Sequence, residues 1–276
     1  MQIKNFPVNS KNSYVVFENN DKIEELEPFM KENKLSRVIF SGFLGYSKFV
    51  LPFNNDIDVI EEISIQCSNI TDLTSLYHLS NIKKISIEEN TVLAHPFDIR
   101  KIAQLTDFFT DDTLKIDGFF DHPTLKQLHI EPKKTKKLDI HNENNILESL
   151  SIANSHILDL SDCKKLTNLK GLYIAYLPKI EDINFILDMP TLTDIEICSC
   201  KKIDNLIATL AQKNNLEKLT LWNQGNLDSI IPLSKLEHLT TLNIWEQTKI
   251  IDGKISFLEE MPNLKKIDIR KYTHYH

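Results

Sequence analysis

Between Leu169 and Ile269 apolar and polar residues alternate in a nine-residue phrase that returns five times. It reads LKGLYIAYL from Leu169, LTDIEICSC from Leu192, LEKLTLWNQ from Leu216, LTTLNIWEQ from Leu239 and LKKIDIRKY from Leu264. Aliphatic side chains fill the first, fourth and sixth positions of every copy, and the starts lie 23, 24, 23 and 25 residues apart. The alternation predicts a short strand whose fourth and sixth side chains turn one way and whose fifth and seventh turn the other. A fixed period of this size predicts stacked units, each burying its aliphatic row against its neighbours.

The same spacing extends upstream with lower fidelity. Leu35, Val38 and Phe40 fit it, then Ile60, Ile63 and Ile65, then Ile82, Ile85 and Ile87. Leu105, Phe108 and Thr110 form a degenerate copy with Thr110 at an apolar position, followed by Leu125, Leu128 and Ile130, and by Leu147, Leu150 and Ile152. About eleven coils result. Residues 1–34 lie outside the pattern and read as a capping segment: a strand over residues 14–17, then a helix capped by Asn20 or Asp21. That helix runs through Lys31, with Ile23, Leu26, Phe29 and Met30 on one face, and Pro28 late in it is expected to shorten or kink it. Residues 35–276 read as the repeat array with its own C-terminal cap. Short helices or 3-10 turns are expected on the return paths over 203–210, 232–239 and 257–261. In the middle coils Leu114 and Ile116, Leu138 and Ile140, and Leu158 and Leu160 suggest a second small sheet on the return side.

The phrase resembles the LxxLxLxxN pattern of leucine-rich repeats. The stretch 69–76 is similar to the 22-residue class seen in internalins and protein-phosphatase regulators. The resemblance implies an α/β right-handed solenoid with a parallel concave sheet, and short helices, 3-10 turns and a small sheet on the convex side. It further implies a non-enzymatic interaction scaffold. The consensus asparagine stands in place only at Asn90, while Ser68, Thr113, Lys133, Ser155, Leu177, Cys200, Gln224 and Gln247 occupy its site elsewhere. A continuous asparagine ladder is therefore not expected.

A formal charge of −7 argues against general nucleic-acid binding and favours a partner with a basic surface. Four cysteines in 276 residues are too few for a disulfide-stapled scaffold, so reduced thiols are expected. The chain shows no secretory leader and no apolar run long enough for a bilayer, which leads to an expectation of a soluble cytoplasmic protein. No phosphate-loop, metalloprotease or nucleophile-elbow signature occurs, and neither a cofactor nor a metal site is expected. Cys198 and Cys200 fall on opposite faces of their strand and cannot share an ion. The run 133–137 (KKTKK) reads as a solvated turn.

The outward positions carry the candidate chemistry. One patch is acidic, with Glu88, Glu89, Asp111, Asp112 and Glu131. The other is aromatic, with both tryptophans of the chain, Trp222 and Trp245, at the same register, near Tyr173 and Tyr176 and flanked by Glu196 and Arg270. Tryptophan and tyrosine supply large contact area at modest entropic cost. The expectation is a monomer that anchors a protein partner on the two tryptophans while the carboxylates steer its basic surface. The opposing expectation is that residues 272–276 fold over the indoles. Abundant Lys, Asn and Ile suggest an AT-rich bacterial genome, which points to an immunity or antitoxin-type protein. A secreted host-directed effector, or an enzymatic or ligand site near His129, Asp111 and Glu131, are the competing readings.

Overall fold

The computed structural model describes residues 1–5, 13–88, 93–111, 115–141 and 146–276. These divide into two compact units, 1–131 and 132–276. The first contains β1 (Gln2–Asn5), β2 (Ser13–Val16), α1 (Ile23–Asn33), β3 (Arg37–Ser41), β4 (Glu62–Gln66), β5 (Lys84–Glu88), β6 (Phe97–Asp98), β7 (Asp107–Thr110), β8 (Ile116–Asp117) and β9 (Gln127–Ile130). Its sheet runs β1-β2-β3-β4-β5-β7-β9, and every pairing after the antiparallel β1–β2 pair is parallel.

The second unit contains β10 (Ser149–Ala153), β11 (Gly171–Ala175), β12 (Asp194–Cys198), α2 (Leu206–Leu210), β13 (Lys218–Trp222), β14 (Gly225–Leu227), β15 (Thr241–Trp245), β16 (Thr248–Ile250) and β17 (Lys266–Ile269). Its sheet runs β10-β11-β12-β13-β15-β17, parallel throughout. All eleven strands read from the aliphatic phrase are thus present.

Burial follows the phrase. From Val38 to Ile244 every fourth- and sixth-position side chain is at most 2% exposed, Thr110 included. Each buried aliphatic chain contributes about 1.5–3 kcal/mol, most of it offset by ordering of the backbone. At β17, the edge strand of the sheet among the described residues, Ile267 is exposed.

The return paths are mostly single 3-10 turns: Thr74–His78, Ile99–Lys101, Ser161–Lys165, Asn184–Asp188, Ile231–Lys235 and Ser256–Glu260. A polar side chain two residues ahead of an N–H in the turn closes five of them. Asp72 accepts from Thr74 N at 2.8 Å, Asp98 from Arg100 N at 3.0 Å, Asp159 from Ser161 N at 2.7 Å, Asp182 from Asn184 N at 2.7 Å, and Ser229 from Ile231 N at 3.1 Å. Such side-chain turns compete with longer helices, and among the described residues only α2 reaches an α-helical turn on these paths.

Three details depart from the expectations. Neither Asn20 nor Asp21 caps α1: Lys22 holds the N-cap position without a side-chain bond, and Asp21 instead accepts the Glu18 N–H at 2.9 Å. Pro28 sits inside α1 without ending it. On the return side, β8 pairs with β6, while among the described residues 138–140 form no strand and Asp159 makes an isolated bridge to Lys137. Leu158 is exposed while Ile157 and Leu160 are both buried, so the two-residue alternation of a strand does not hold there. A further return-side pair, β14 with β16, appears in the late coils. Leu114 lies outside the described residues.

The asparagine site is filled by different chemistry coil by coil. Ser155 Oγ donates to Pro132 O at 2.7 Å, Cys200 Sγ reaches Ile174 O at 3.9 Å, and Gln224 Nε2 donates to Ile197 O and Trp222 O, both at 2.8 Å. Gln247 is exposed, and the neighbouring Thr248 is fully buried instead.

Candidate functional site

In the second unit, β10, β11, β12, β13 and β15 are each followed by a residue with positive φ: Asn154 (49°), Tyr176 (53°), Ser199 (53°), Asn223 (54°) and Glu246 (55°). Left-handed backbone costs a residue with a Cβ roughly 1 kcal/mol or more. The N–H groups of the first four repay it by extending the ladder, donating to Ala175 O, Cys198 O, Trp222 O and Trp245 O at 2.9–3.3 Å. This turn fixes the end of each strand and therefore the register of the residue before it.

That register aligns Ala153, Ala175, Cys198, Trp222 and Trp245 across five strands. Side chains grow along the row, from methyl groups through a buried thiol to two indoles. Trp222 is 37% exposed and Trp245 half-buried, with ring centroids 6.3 Å apart and an interplanar angle of 80°. An edge-to-face pair of this kind holds both rings in one orientation and limits the entropy lost on docking. The adjacent row holds Tyr173, Glu196, Thr220, Asn243 and Asp268. Tyr173 lies over Gly171, where an added Cβ would sit 2.8 Å from the phenol oxygen. Burial, with Asp194 second, pushes the Tyr173 phenol up to about 12.

Glu196 is half-buried, and burial followed by the neighbouring Asp194 raises its carboxyl above the usual range. Asp194 is engaged by Lys218 at 3.4 Å and by the Tyr173 hydroxyl at 3.4 Å, whereas Glu196 has no ion pair among the described residues. An added cation beside Glu196 would therefore be stabilised by a carboxylate that the fold leaves uncompensated. Tyr176 is exposed beside the row. Arg270 is directed elsewhere, 5.6 Å over the Tyr272 ring and donating to Glu246 O at 3.3 Å.

The C-terminal tail binds the last coil. Ile250 N–H donates to the Tyr275 hydroxyl at 2.8 Å, His274 Nε2 bonds Ile250 O at 2.8 Å, and His276 N–H donates to Gly253 O at 2.9 Å. Gly253 has φ +66°, and a Cβ there would strike the His274 carbonyl. With the tail's bonds spent on residues 250–255, Trp222 keeps its exposure.

In the first unit the acidic residues continue successive strands. Ser86 Oγ donates to Glu88 at 2.8 Å, and Asp111 and Glu131 extend the ladder to Ile87 O and Thr110 O, each at 3.2 Å. All three are half-buried; Glu89 and Asp112 lie outside the described residues. His129 stacks on Phe109 with centroids 4.1 Å apart, 4.0 Å from Glu131, and burial outweighs that carboxylate to lower its basicity. A cavity of about 470 Å³ lies over β3–β5, but Asp111, His129 and Glu131 do not line it. Among the described residues no three His, Cys, Asp or Glu side chains are grouped to hold a metal ion, and no helix is long and apolar enough to cross a membrane.

No protein-family model matches the chain. No curated protein matches its sequence. Solved structures do match. The functional domain of InlJ from Listeria monocytogenes, which includes a cysteine ladder, aligns with a TM-score of 0.53 at 15% identity over 95% of this chain. TLR13, in a complex with ssRNA13, aligns with a TM-score of 0.57 at 15% identity over 93% of this chain. The chain spans 60% of the InlJ domain and 37% of TLR13. Both are leucine-rich-repeat proteins, and the fold of this chain is the leucine-rich-repeat fold.

Proposed function

We propose that this chain is a non-catalytic scaffold that binds a protein partner on the sheet face of residues 132–276, with Trp222 and Trp245 as anchors. The observation that carries this reading is the mutually braced indole pair on adjacent strands, in register, with Trp222 exposed and Trp245 half-buried. Central aromatic anchors ringed by polar residues dominate binding energy in protein interfaces. Tyr173 and Tyr176 widen the apolar area, and Glu196 supplies a carboxylate for a basic side chain of the partner.

Glu88, Asp111 and Glu131 add negative potential that speeds association with a basic partner, with Glu89 and Asp112 contributing charge by sequence. The same negative charge disfavours an RNA ligand of the kind present in the TLR13 complex. Residues 1–34 serve as the N-terminal cap of the array, closing the first coil with β2 and α1. The biological role this best suits is a monomeric, cytoplasmic immunity or antitoxin-type protein of a bacterium, whose target is a basic protein such as a nuclease. A secreted host-directed effector shares the same surface chemistry.

Capture from lysate of the source cell and from a host lysate separates those roles. A basic protein retained from the source cell, and lost with Trp222→Ala/Trp245→Ala, supports immunity. Retention only from host lysate supports the effector. Retention unaffected by the double substitution contradicts the docking surface itself.

A further inference from the structure

We propose that the cavity over β3–β5 binds a neutral polyhydroxylated ligand, a saccharide residue, on a floor of Ser41, Ser64 and Gln66 beneath the Phe43 ring. This site lies wholly in the first unit and does not rest on the tryptophan surface.

The floor consists of hydrogen-bonding groups, and that of Ser41 is one the protein does not use. Ser41 is 1% exposed, lines the cavity, and its hydroxyl has no hydrogen-bond partner. Burying a hydroxyl without a partner is costly, and such groups in folded proteins call for an explanation. Register places Ser41 beside Gln66, and Ser64 beside Ser86. Ser64 and Gln66 line the same cavity and are half-buried, so their polar groups are reachable from it. Three adjacent side chains, each able to donate and to accept, therefore face one open volume.

The volume, about 470 Å³, falls within the range of small-molecule sites, roughly 300–1,000 Å³. The strand backbones beneath are already paired in the parallel ladder, so an added peptide strand finds no main-chain partner there. Charge disfavours anions: the lining carries two carboxylates, Glu62 and Glu88, against one guanidinium, Arg37, which is itself paired with Glu62 at 2.7 Å. A purely apolar ligand would leave the Ser41 hydroxyl stranded. What remains is a neutral molecule with many hydroxyls.

One wall is apolar. Phe43 is 83% exposed, and Ile39, Leu44 and Tyr14 complete the wall. The ring is presented by the tight turn Gly42–Leu44, closed by Gly45 at φ +98° and by the Tyr46 N–H donating to Ser41 O at 2.9 Å. Phe43 is thereby held within two residues of the floor hydroxyl. A sugar ring meets both demands, with an apolar C–H face for the phenyl ring and hydroxyls that donate and accept at its edge.

The test is titration of the whole chain with methyl glucoside, methyl galactoside, methyl mannoside and N-acetylglucosamine, followed by saturation-transfer NMR and calorimetry. Inorganic phosphate and a blocked Gly-Ser-Gly peptide serve as comparison ligands. The expected result is binding of at least one sugar with a Kd at or below about 10 mM, and weaker binding of both comparison ligands. Phe43→Ala, at an exposed position that spares the fold, should weaken that sugar roughly fivefold or more. Ser41→Ala should weaken it about 3- to 10-fold while leaving the thermal midpoint unchanged or higher, since an unsatisfied hydroxyl is removed. Trp222→Ala/Trp245→Ala should leave it unchanged. No sugar binding, tighter binding of phosphate or peptide, or sugar binding indifferent to both Phe43→Ala and Ser41→Ala would overturn the proposal.

Discussion

The backbone N–H of Gln224 donates to the hydroxyl of Thr248, 3.0 Å away and in the next coil. The Gln224 side chain turns inward and places both amide hydrogens on carbonyls, Ile197 O and Trp222 O. One buried glutamine thus ties together the coils of β12, β13 and β15, directly behind the indole pair. Gln224→Leu keeps the volume but removes the amide donors from Ile197 O and Trp222 O, the latter still accepting the Ser199 N–H, and should destabilise the protein by about 1 kcal/mol. Urea denaturation checks this, and an unchanged midpoint would show that the amide contributes nothing.

His122 gives the fold an acid sensitivity. It is 3% exposed, its Nε2–H donates to Ile99 O and Ile102 O at 3.0 and 3.1 Å, and its Nδ1 accepts the Thr124 N–H at 3.2 Å. This arrangement needs the neutral ring, and burial lowers its basicity below the ordinary 6.5 despite the two carbonyls. His129 shifts the same way. With the folded value depressed, the unfolded chain takes up the proton first as pH falls. Stability is therefore full above about pH 6.5 and declines as pH drops through the folded values. Denaturation between pH 8 and pH 5 should show that decline, and His122→Gln should flatten it. A pH-independent midpoint would contradict the tautomer assigned here.

The four thiols should be silent in the native state. Cys67, Cys163, Cys198 and Cys200 are all buried and unpaired as disulfides. Burial pushes Cys163 up to about 12 and Cys200 up to about 11. Since the thiolate is the reactive form, a colorimetric thiol reagent at pH 8 should titrate close to none of them in native buffer and all of them in guanidinium. Rapid reaction of Cys198 in the native state would mean that its face of β12 is open.

The aliphatic phrase made the strands legible because burial on one face obeys a strict period of two, and even Thr110 keeps its buried place. The aspartates and the serine before the 3-10 turns were legible in principle, since each sits two residues ahead of an N–H in its turn. Asn154 and Asn223 hint at the left-handed strand ends, but Tyr176 and Glu246 do not, because nothing local favours positive φ for a tyrosine or a glutamate. The outward register of Trp222 and Trp245 came from the same period. Their edge-to-face geometry, the isolation of Glu196 and the Ser41 floor did not, because they depend on which side chains meet across strands more than 20 residues apart. The return-side ladder was legible in part, at Ile116 in β8 and at the bridge from Lys137 to Asp159, but the spacing of Leu158 and Leu160 could not show that Ile157 is the buried neighbour.

The most direct measurement is quantitative capture with the folded wild-type chain and with Trp222→Ala/Trp245→Ala, from the same lysate at matched concentration. Both indoles face outward, so the substituted chain should keep its circular dichroism spectrum. A partner anchored on them should lose roughly 30-fold or more in affinity and disappear from the capture. Equal recovery of the same partner by both chains would contradict the claim that this indole pair is the docking surface.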